Sequence, residues 1–265
     1  MTGEYGREQM IIFEQLKEQW KKEAQKIGIE WPITFLVKDD INTCMVVSDE
    51  IDRTHEIWII PAVLQNPDIY DVDVMHELSH AKISETVDPT FSTINFSTNS
   101  LEGHDGDRAQ EFRKLAVELR TAWLHVDIWI NDARDAVWPE LTKKDILSFF
   151  DNFKKLADAG HKDFIERLDT VIAVATNMSD AKRHLSKKQQ PDPQAVMRRY
   201  TNVAVRQLIV KLTNHFETLP KLGEDKTKNL KILEQSVQKV AQILGFSIKP
   251  FMVEENGRIV WDFGV

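Results

Sequence analysis

The chain has 265 residues, 42% of them hydrophobic, and a formal net charge of -8. This composition is typical of a soluble globular protein of one or two domains that can bury a sizeable core. The negative charge disfavours nucleic acid and anionic lipid as partners, and no apolar run approaches the roughly 20 residues that a membrane helix needs.

The first part of the chain predicts one helix followed by three strands. Residues 7–27 carry apolar side chains at three- and four-residue steps, which predicts an amphipathic helix that ends near Gly28. Three short segments rich in branched and aromatic residues then predict strands that are antiparallel neighbours. These segments are "ITFLVKD" (33–39), "TCMVVSD" (43–49) and "EIWIIPA" (56–62).

The rest of the chain is predicted to be mainly helical. A helix begins at Pro67 and Asp68 and carries apolar residues along one side, and residues 87–106 predict a long loop. From residue 107 onward helices dominate, the first of them with a core-facing apolar stripe over 107–137. Further predicted helices cover 142–158, 162–184, 193–217 and 226–244, and the Asn-Gly pair of "FMVEENGRIVWDF" (251–263) predicts a β-hairpin.

These elements predict an α+β protein. A small, mainly antiparallel N-terminal sheet is joined by the helix that begins at Pro67, and a mainly helical C-terminal lobe follows. We place the domain boundary near residue 140, with residues 1–140 as the first unit and residues 141–265 as a helical lobe that ends in the hairpin. Because the N-terminus lacks a signal-peptide pattern and the single cysteine, Cys44, excludes an internal disulfide, we expect a cytoplasmic protein.

One motif on the predicted helix carries chemistry, since residues 75–82 read "MHELSHAK". Residues four apart share a helix face, so His76 and His80 can present two imidazoles to one metal ion. Glu77 then stands beside the coordination position where a water would bind, as a general base requires. The alternative is an ordinary helix with a coincidental spacing, which occurs in roughly a few of every hundred chains of this composition.

HELSH on a helix that follows a small sheet resembles the zincin metallopeptidases, and the resemblance covers roughly residues 7–137. It implies a zinc ion, a peptide or protein substrate, and a strand, here 56–62, that pairs with the extended substrate. The metzincin branch requires a histidine at position 86, where this chain has Thr86. The resemblance is therefore to the gluzincin or aspzincin type, whose third ligand is an acidic residue on a downstream helix with a polar group one turn later.

For the third metal ligand the resemblance points to Asp127, in the stretch "HVDIWINDARD" (125–135). Asn131 follows it at i+4, and "VDIWIN" is similar to a helix of metallopeptidases that carry HExxH upstream. Asp132 is an alternative because the Asn131-Asp132 pair resembles the Asn-Glu pair of thermolysin-like enzymes, but about 140° around the helix separates it from Asp127. His125 is a second alternative. Further candidates for a group that contacts the transition state are His104, His184, Arg198 and Tyr200.

Together these features predict a zinc-dependent metallopeptidase in which His76, His80 and Asp127 hold Zn2+ and Glu77 is the general base. One alternative is a catalytically inactive zincin-like fold that serves as a binding or regulatory module. Another is a zinc hydrolase that acts on a bond other than a peptide bond. The position of Glu77 between the two histidines favours an enzyme, because a structural zinc site needs no general base.

Overall fold

The structure, a computed structural model, describes residues 7–98 and 107–264. The chain divides into two compact units, Met1–Thr93 and Ile94–Val265. A three-stranded sheet lies in the first unit, and the second unit is mainly helical and ends in a two-stranded sheet. The α+β class expected from the sequence is therefore confirmed. Within the described ranges, none of the helices combines the length and the apolar content that crossing a lipid bilayer requires.

The first unit begins with a helix and continues with strands, in the predicted order. Its elements are α1 (Arg7–Ile27), β1 (Ile33–Val37), β2 (Met45–Asp49), β3 (Thr54–Ile59), α2 (Pro61–Gln65), α3 (Pro67–Thr86) and a 3-10 turn (Pro89–Phe91). α1 buries most of the apolar face that its spacing predicts, including Phe13 and Trp20, whereas Met10 and Ile11 near its start are exposed. It ends at Gly28, whose φ of 81° is the left-handed conformation that glycine adopts readily after a helix.

The sheet of the first unit is mixed, with the strand order β1-β3-β2. β2 pairs with β3 antiparallel, as predicted, but β1 pairs with β3 parallel, so the prediction of three antiparallel neighbours is wrong for β1. The reason is that β3 inserts between the two strands that precede it in the chain. β3 is therefore central, with Ile57 and Ile59 fully buried and a partner strand on each edge. Residues 56–62 cannot take up a substrate strand, contrary to the prediction.

Helix α3 carries the HELSH motif and is fixed within the first unit. It begins at Pro67, the predicted position, where the missing N–H of proline costs no helical hydrogen bond. α3 buries Val74, Leu78 and Ala81 completely and packs against α1, α2 and β2. The motif therefore lies on a helix whose opposite face belongs to a hydrophobic core.

The second unit contains most of the helices. The described elements are α4 (Asp107–Trp123), a 3-10 turn (Leu124–Val126), α5 (Asp127–Val137), α6 (Pro139–Asp158), α7 (Lys162–Ile165), α8 (Leu168–His184), α9 (Pro193–Met197), α10 (Val203–Glu217), α11 (Lys226–Leu244), β4 (Lys249–Glu255) and β5 (Arg258–Gly264). Three predicted helices, 107–137, 162–184 and 193–217, are each interrupted. The hairpin is confirmed, and its turn residues Asn256 and Gly257 have φ of 53° and 75°, as an Asn-Gly turn of this type requires.

Helices on both sides of residue 140 share one core within the second unit. α5 packs against both α6 and α8, and α4 packs against α11. The boundary between the two compact units lies after Thr93, whereas the sequence predicts a domain boundary near residue 140. The predicted division into residues 1–140 and 141–265 stays a prediction.

Candidate metal centre

His76 and His80 face each other one turn apart on α3. Their Nε2 atoms are 3.1 Å apart, and their ring centroids are separated by 4.8 Å. A tetrahedral zinc ion with Zn–N bonds of about 2.05 Å holds two nitrogens about 3.3 Å apart. The two imidazoles are thus already at the separation at which both nitrogens can bind one ion.

The orientation of the His80 ring is fixed by the 3-10 turn that follows α3. Nδ1 of His80 lies 3.2 Å from the carbonyl oxygen of Phe91, and the side chain is buried. Because a carbonyl oxygen only accepts, Nδ1 carries the proton, and Nε2 of the neutral ring keeps its lone pair. A ligating histidine typically donates its other ring N–H in this way.

The turn that offers the Phe91 carbonyl is itself held by side chains. Oδ1 of Asp88 accepts hydrogen bonds from the backbone N–H of Thr90 at 2.9 Å and from its hydroxyl at 2.7 Å. The hydroxyl of Ser92 donates to the backbone carbonyl of His80 at 3.0 Å. Sequence reasoning missed this support, although Asp88 followed by a proline is a recognisable start of a capped turn.

Glu77 follows His76 on α3 and is half-buried. Its charge and that of Asp73 act on the thiol of Cys44, which is buried immediately before β2. Burial, reinforced by these two carboxylates, raises the pKa of Cys44 to about 11. The thiol of the metal-free protein is therefore protonated at neutral pH.

Asp127 is the carboxylate that completes a group of three possible ligands. One ligand atom from each of His76, His80 and Asp127 lies within 4.8 Å of the others. Among the described residues, no other group of three or more His, Cys, Asp or Glu side chains meets this condition. The group could therefore hold a metal ion.

His125, the first alternative ligand, has both ring nitrogens engaged inside the second unit. Nδ1 lies 2.8 Å from the carbonyl oxygen of Ala122, and Nε2 lies 2.6 Å from the hydroxyl oxygen of Ser236. The ring also stacks on Phe216 with its centroid 5.1 Å away. Burial lowers the pKa of His125 to about 3, so the ring is neutral, and its lone pair accepts from Ser236. These contacts describe a structural histidine.

Asp132, the second alternative, belongs to a cluster of ionisable side chains between α5 and α8. It pairs with Arg183, whose Nε is 3.1 Å from Oδ1, and it lies 3.3 Å from Nε2 of His184. Burial by itself raises the pKa of Asp132, but hydrogen bonds from His184 and Arg183 outweigh it and lower the pKa. Asn131 also serves this cluster, since its Nδ2 donates to Asp180 at 2.7 Å.

The remaining candidates lie elsewhere or in other contacts. His184 also lies 3.1 Å from Asp135, and the buried ring of Tyr200 stacks on Phe153. The exposed guanidinium of Arg198 lies 3.6 Å from Asp192. His104 lies outside the described residues.

Comparisons with known proteins do not assign the chain to a family. A scan against protein-family models gave no match, and searches of curated proteins and of solved structures gave none either. The resemblance to zincin metallopeptidases therefore remains a prediction, carried by the motif and by the geometry of its residues.

Proposed function

We propose that the protein is a zinc-dependent metallopeptidase in which His76, His80 and Asp127 hold the ion and Glu77 is the general base. The observation that carries the proposal is the paired arrangement of the two histidines. Their Nε2 atoms are 3.1 Å apart. The Phe91 carbonyl accepts a hydrogen bond from Nδ1 of His80, which leaves the lone pair of that ring on Nε2. Two imidazoles that face each other in this way can present one nitrogen each to a cation between them.

The donor set of the group fits zinc. Two imidazole nitrogens and one carboxylate oxygen form the set that catalytic zinc sites use, with a fourth position left for water. The same set binds other borderline divalent ions, because affinity depends on geometry and on the supply of metal as well as on ligand type. Zinc is the proposal because HExxH on a helix is the arrangement expected for a zinc-dependent peptidase.

The general base in this proposal is Glu77, which directly follows His76 on α3. When bound, zinc lowers the pKa of a water molecule and polarises a carbonyl group. The carboxylate of Glu77 would accept the proton of the attacking water and would later donate it to the leaving amine. Glu77 precedes the second histidine by three positions on the same helix, so α3 positions the base and both nitrogen ligands together.

The outer edge of β2 is the best candidate for the strand that pairs with a peptide substrate. β3 has a partner on both sides, whereas β2 is an edge strand. β2 packs against α3, and Cys44, directly before β2, lies within the electrostatic influence of Glu77. A peptide that adds to this edge would run beside the motif helix and gain backbone hydrogen bonds regardless of its sequence.

The first test is the metal content of purified protein after dialysis without chelator, measured by elemental analysis. One zinc per chain is expected in the wild type, and loss of zinc in both His80→Ala and Asp127→Ala. The exposed residues His161 and Asp163 provide matched controls, since His161→Ala and Asp163→Ala should keep the zinc. If Asp127→Ala keeps its zinc, Asp127 is not a ligand. A wild type that binds no zinc even after incubation with added zinc would overturn the proposal.

Peptidase activity separates the enzyme from a binding module with the same site. Glu77→Gln should keep one zinc per chain, yet reduce kcat/KM on a cleaved peptide by about 10²–10⁴-fold, the usual contribution of a general base. A mixture of unrelated peptides analysed by mass spectrometry supplies the substrate. Zinc-loaded wild type that cleaves none of them would contradict the peptidase proposal and favour the binding or regulatory module.

A further inference from the structure

A second site lies in the helical unit, apart from the metal ligands. Residues of α8, α9 and α10 line a cavity of about 570 Å3. This volume falls within the range of small-molecule binding sites. None of the proposed metal ligands lines the cavity, and neither does Glu77.

Part of the cavity wall is apolar. Met178 on α8, Pro193 and Met197 on α9, and Val210 on α10 contribute this surface. Val210 is 46% exposed although it is a large apolar residue. Unbranched methionine side chains adapt to the shape of a ligand, so two of them suit a flexible apolar chain. A ligand with an apolar body would cover Val210 and gain from leaving water.

The charged residues of the wall are mainly basic. Lys182, Arg198 and Arg206 line the cavity, against one acidic residue, Glu217, which pairs with Lys182. Arg206 has no ion-pair partner among the described residues. Arg198 lies 3.6 Å from Asp192, so two of the three cations have an acidic partner, and Arg206 is the positive charge left for a ligand in a chain whose net charge is -8. The cavity therefore favours an anion, and a guanidinium matches the geometry of a carboxylate or phosphate group.

We propose that this cavity binds a small amphipathic anion, an apolar chain or ring that carries one carboxylate or phosphate group. The apolar part lies against Met178, Met197 and Val210, and the anionic head lies at Arg206 and its basic neighbours. The residues that line the cavity are distinct from the proposed metal ligands.

Three probes that differ in one property each test this chemistry by isothermal titration calorimetry with the full chain. Decanoate has both the chain and the charge, acetate lacks the chain, and decyltrimethylammonium reverses the charge. Decanoate should bind one per chain, at least tenfold tighter than acetate or decyltrimethylammonium. Decyl phosphate, measured in parallel, tells whether the head is preferentially a carboxylate or a phosphate. The proposal would be overturned if neither decanoate nor decyl phosphate binds, or if decyltrimethylammonium binds as tightly as decanoate.

Paired variants on α10 then locate the binding. Val210→Glu places a negative charge on the cavity wall and should weaken decanoate binding at least tenfold. Val203→Glu adds the same charge at a residue that is 56% exposed and does not line the cavity, so it should leave binding unchanged. Equal weakening by both variants would show a long-range charge effect and contradict the assignment of the site.

A second pair removes positive charge from the same helix. Arg206→Gln should weaken decanoate binding about tenfold, whereas Lys211→Gln, exposed and outside the cavity wall, should change it less than twofold. Circular dichroism and the thermal midpoint confirm that each variant is folded. If Arg206→Gln does not fold, the Val210→Glu and Val203→Glu pair decides. Unchanged binding in Val210→Glu overturns the proposed position.

Discussion

Nδ1 of His80 lies 3.2 Å from the carbonyl oxygen of Phe91, eleven positions further along the chain. This contact joins the second histidine of the motif to the 3-10 turn behind α3. It sets the tautomer of His80, and it depends on a turn whose own cap is the carboxylate of Asp88. Substitutions in this turn should therefore affect metal binding, although the turn contributes no metal ligand itself.

We predict that Asp88→Ala weakens zinc binding by about tenfold, the lower end of what loss of an indirect support costs a metal site. The turn loses the acceptor for the N–H and hydroxyl of Thr90, so the Phe91 carbonyl is held less firmly. A competition titration with a chelator measures the dissociation constant. Asp88→Asn keeps an acceptor oxygen and should restore binding, so equal loss in both variants would contradict this explanation.

We predict that Ser236→Ala destabilises the protein without changing its zinc content. The substitution leaves Nε2 of the buried His125 without its donor, which costs about 1–3 kcal/mol of unfolding free energy. Urea denaturation measures the loss, with the exposed Ser186→Ala as a control. Loss of zinc in Ser236→Ala at a concentration of urea where the protein is folded would return His125 to the candidate ligands.

We predict that Asp180→Asn removes a pH-dependent loss of stability. Burial raises the pKa of Asp180 to about 7, above its ordinary value of 3.8. Between these values the folded state binds more protons than the unfolded state, so this group lowers the unfolding free energy as pH rises from about 4 to about 7.

Urea denaturation from pH 4.5 to 7.5 measures this effect as the difference between wild type and Asp180→Asn. The side-chain amide of the variant does not titrate in this range, so the variant should gain relative to wild type by on the order of 2–4 kcal/mol across it. Groups that do not interact with Asp180 cancel in this difference, whereas His184, whose pKa the Asp180 carboxylate raises, loses that effect in the variant and contributes to the measured change. A constant difference at every pH would contradict the raised pKa of Asp180.

We predict that Gly28→Ala lowers the unfolding free energy by about 1–2 kcal/mol. The φ of Gly28 is 81°, and an added Cβ would lie 3.7 Å from Nζ of Lys82, so strain in the backbone is the main cost. Gly223→Ala is the matched control, because nothing lies within 4 Å of its added Cβ and its φ is ordinary. Equal stability of the two variants, measured by thermal or urea unfolding, would contradict the strain argument.

Much of the local structure follows from the sequence alone. The apolar spacing of residues 7–27 determines the buried face of α1, the Pro67 start determines where α3 begins, and Asn256-Gly257 determines the hairpin turn. These features depend on residues within a few positions of one another. The pairing of His76 with His80 is of the same kind, because a helix places residues four apart on one face.

The tertiary structure decided what depends on distant residues. Strand spacing gives no direction of pairing, so the parallel alignment of β1 with β3 and the edge position of β2 appear only in the folded sheet. The 3-10 turn at 124–126 interrupts the predicted helix although this stretch contains neither proline nor glycine, so the sequence gives no signal for the interruption.

The surroundings of the three candidate third ligands depend on remote elements in the same way. Asp127, Asp132 and His125 lie within eight residues and carry equally suitable ligand atoms. Ser236 satisfies His125 and Arg183 satisfies Asp132, and both partners are more than fifty positions away. The sequence pattern indicates which groups a side chain can bind. Only the packing of elements remote in the chain determines which hydrogen-bond or ion-pair partner that side chain has in the folded protein.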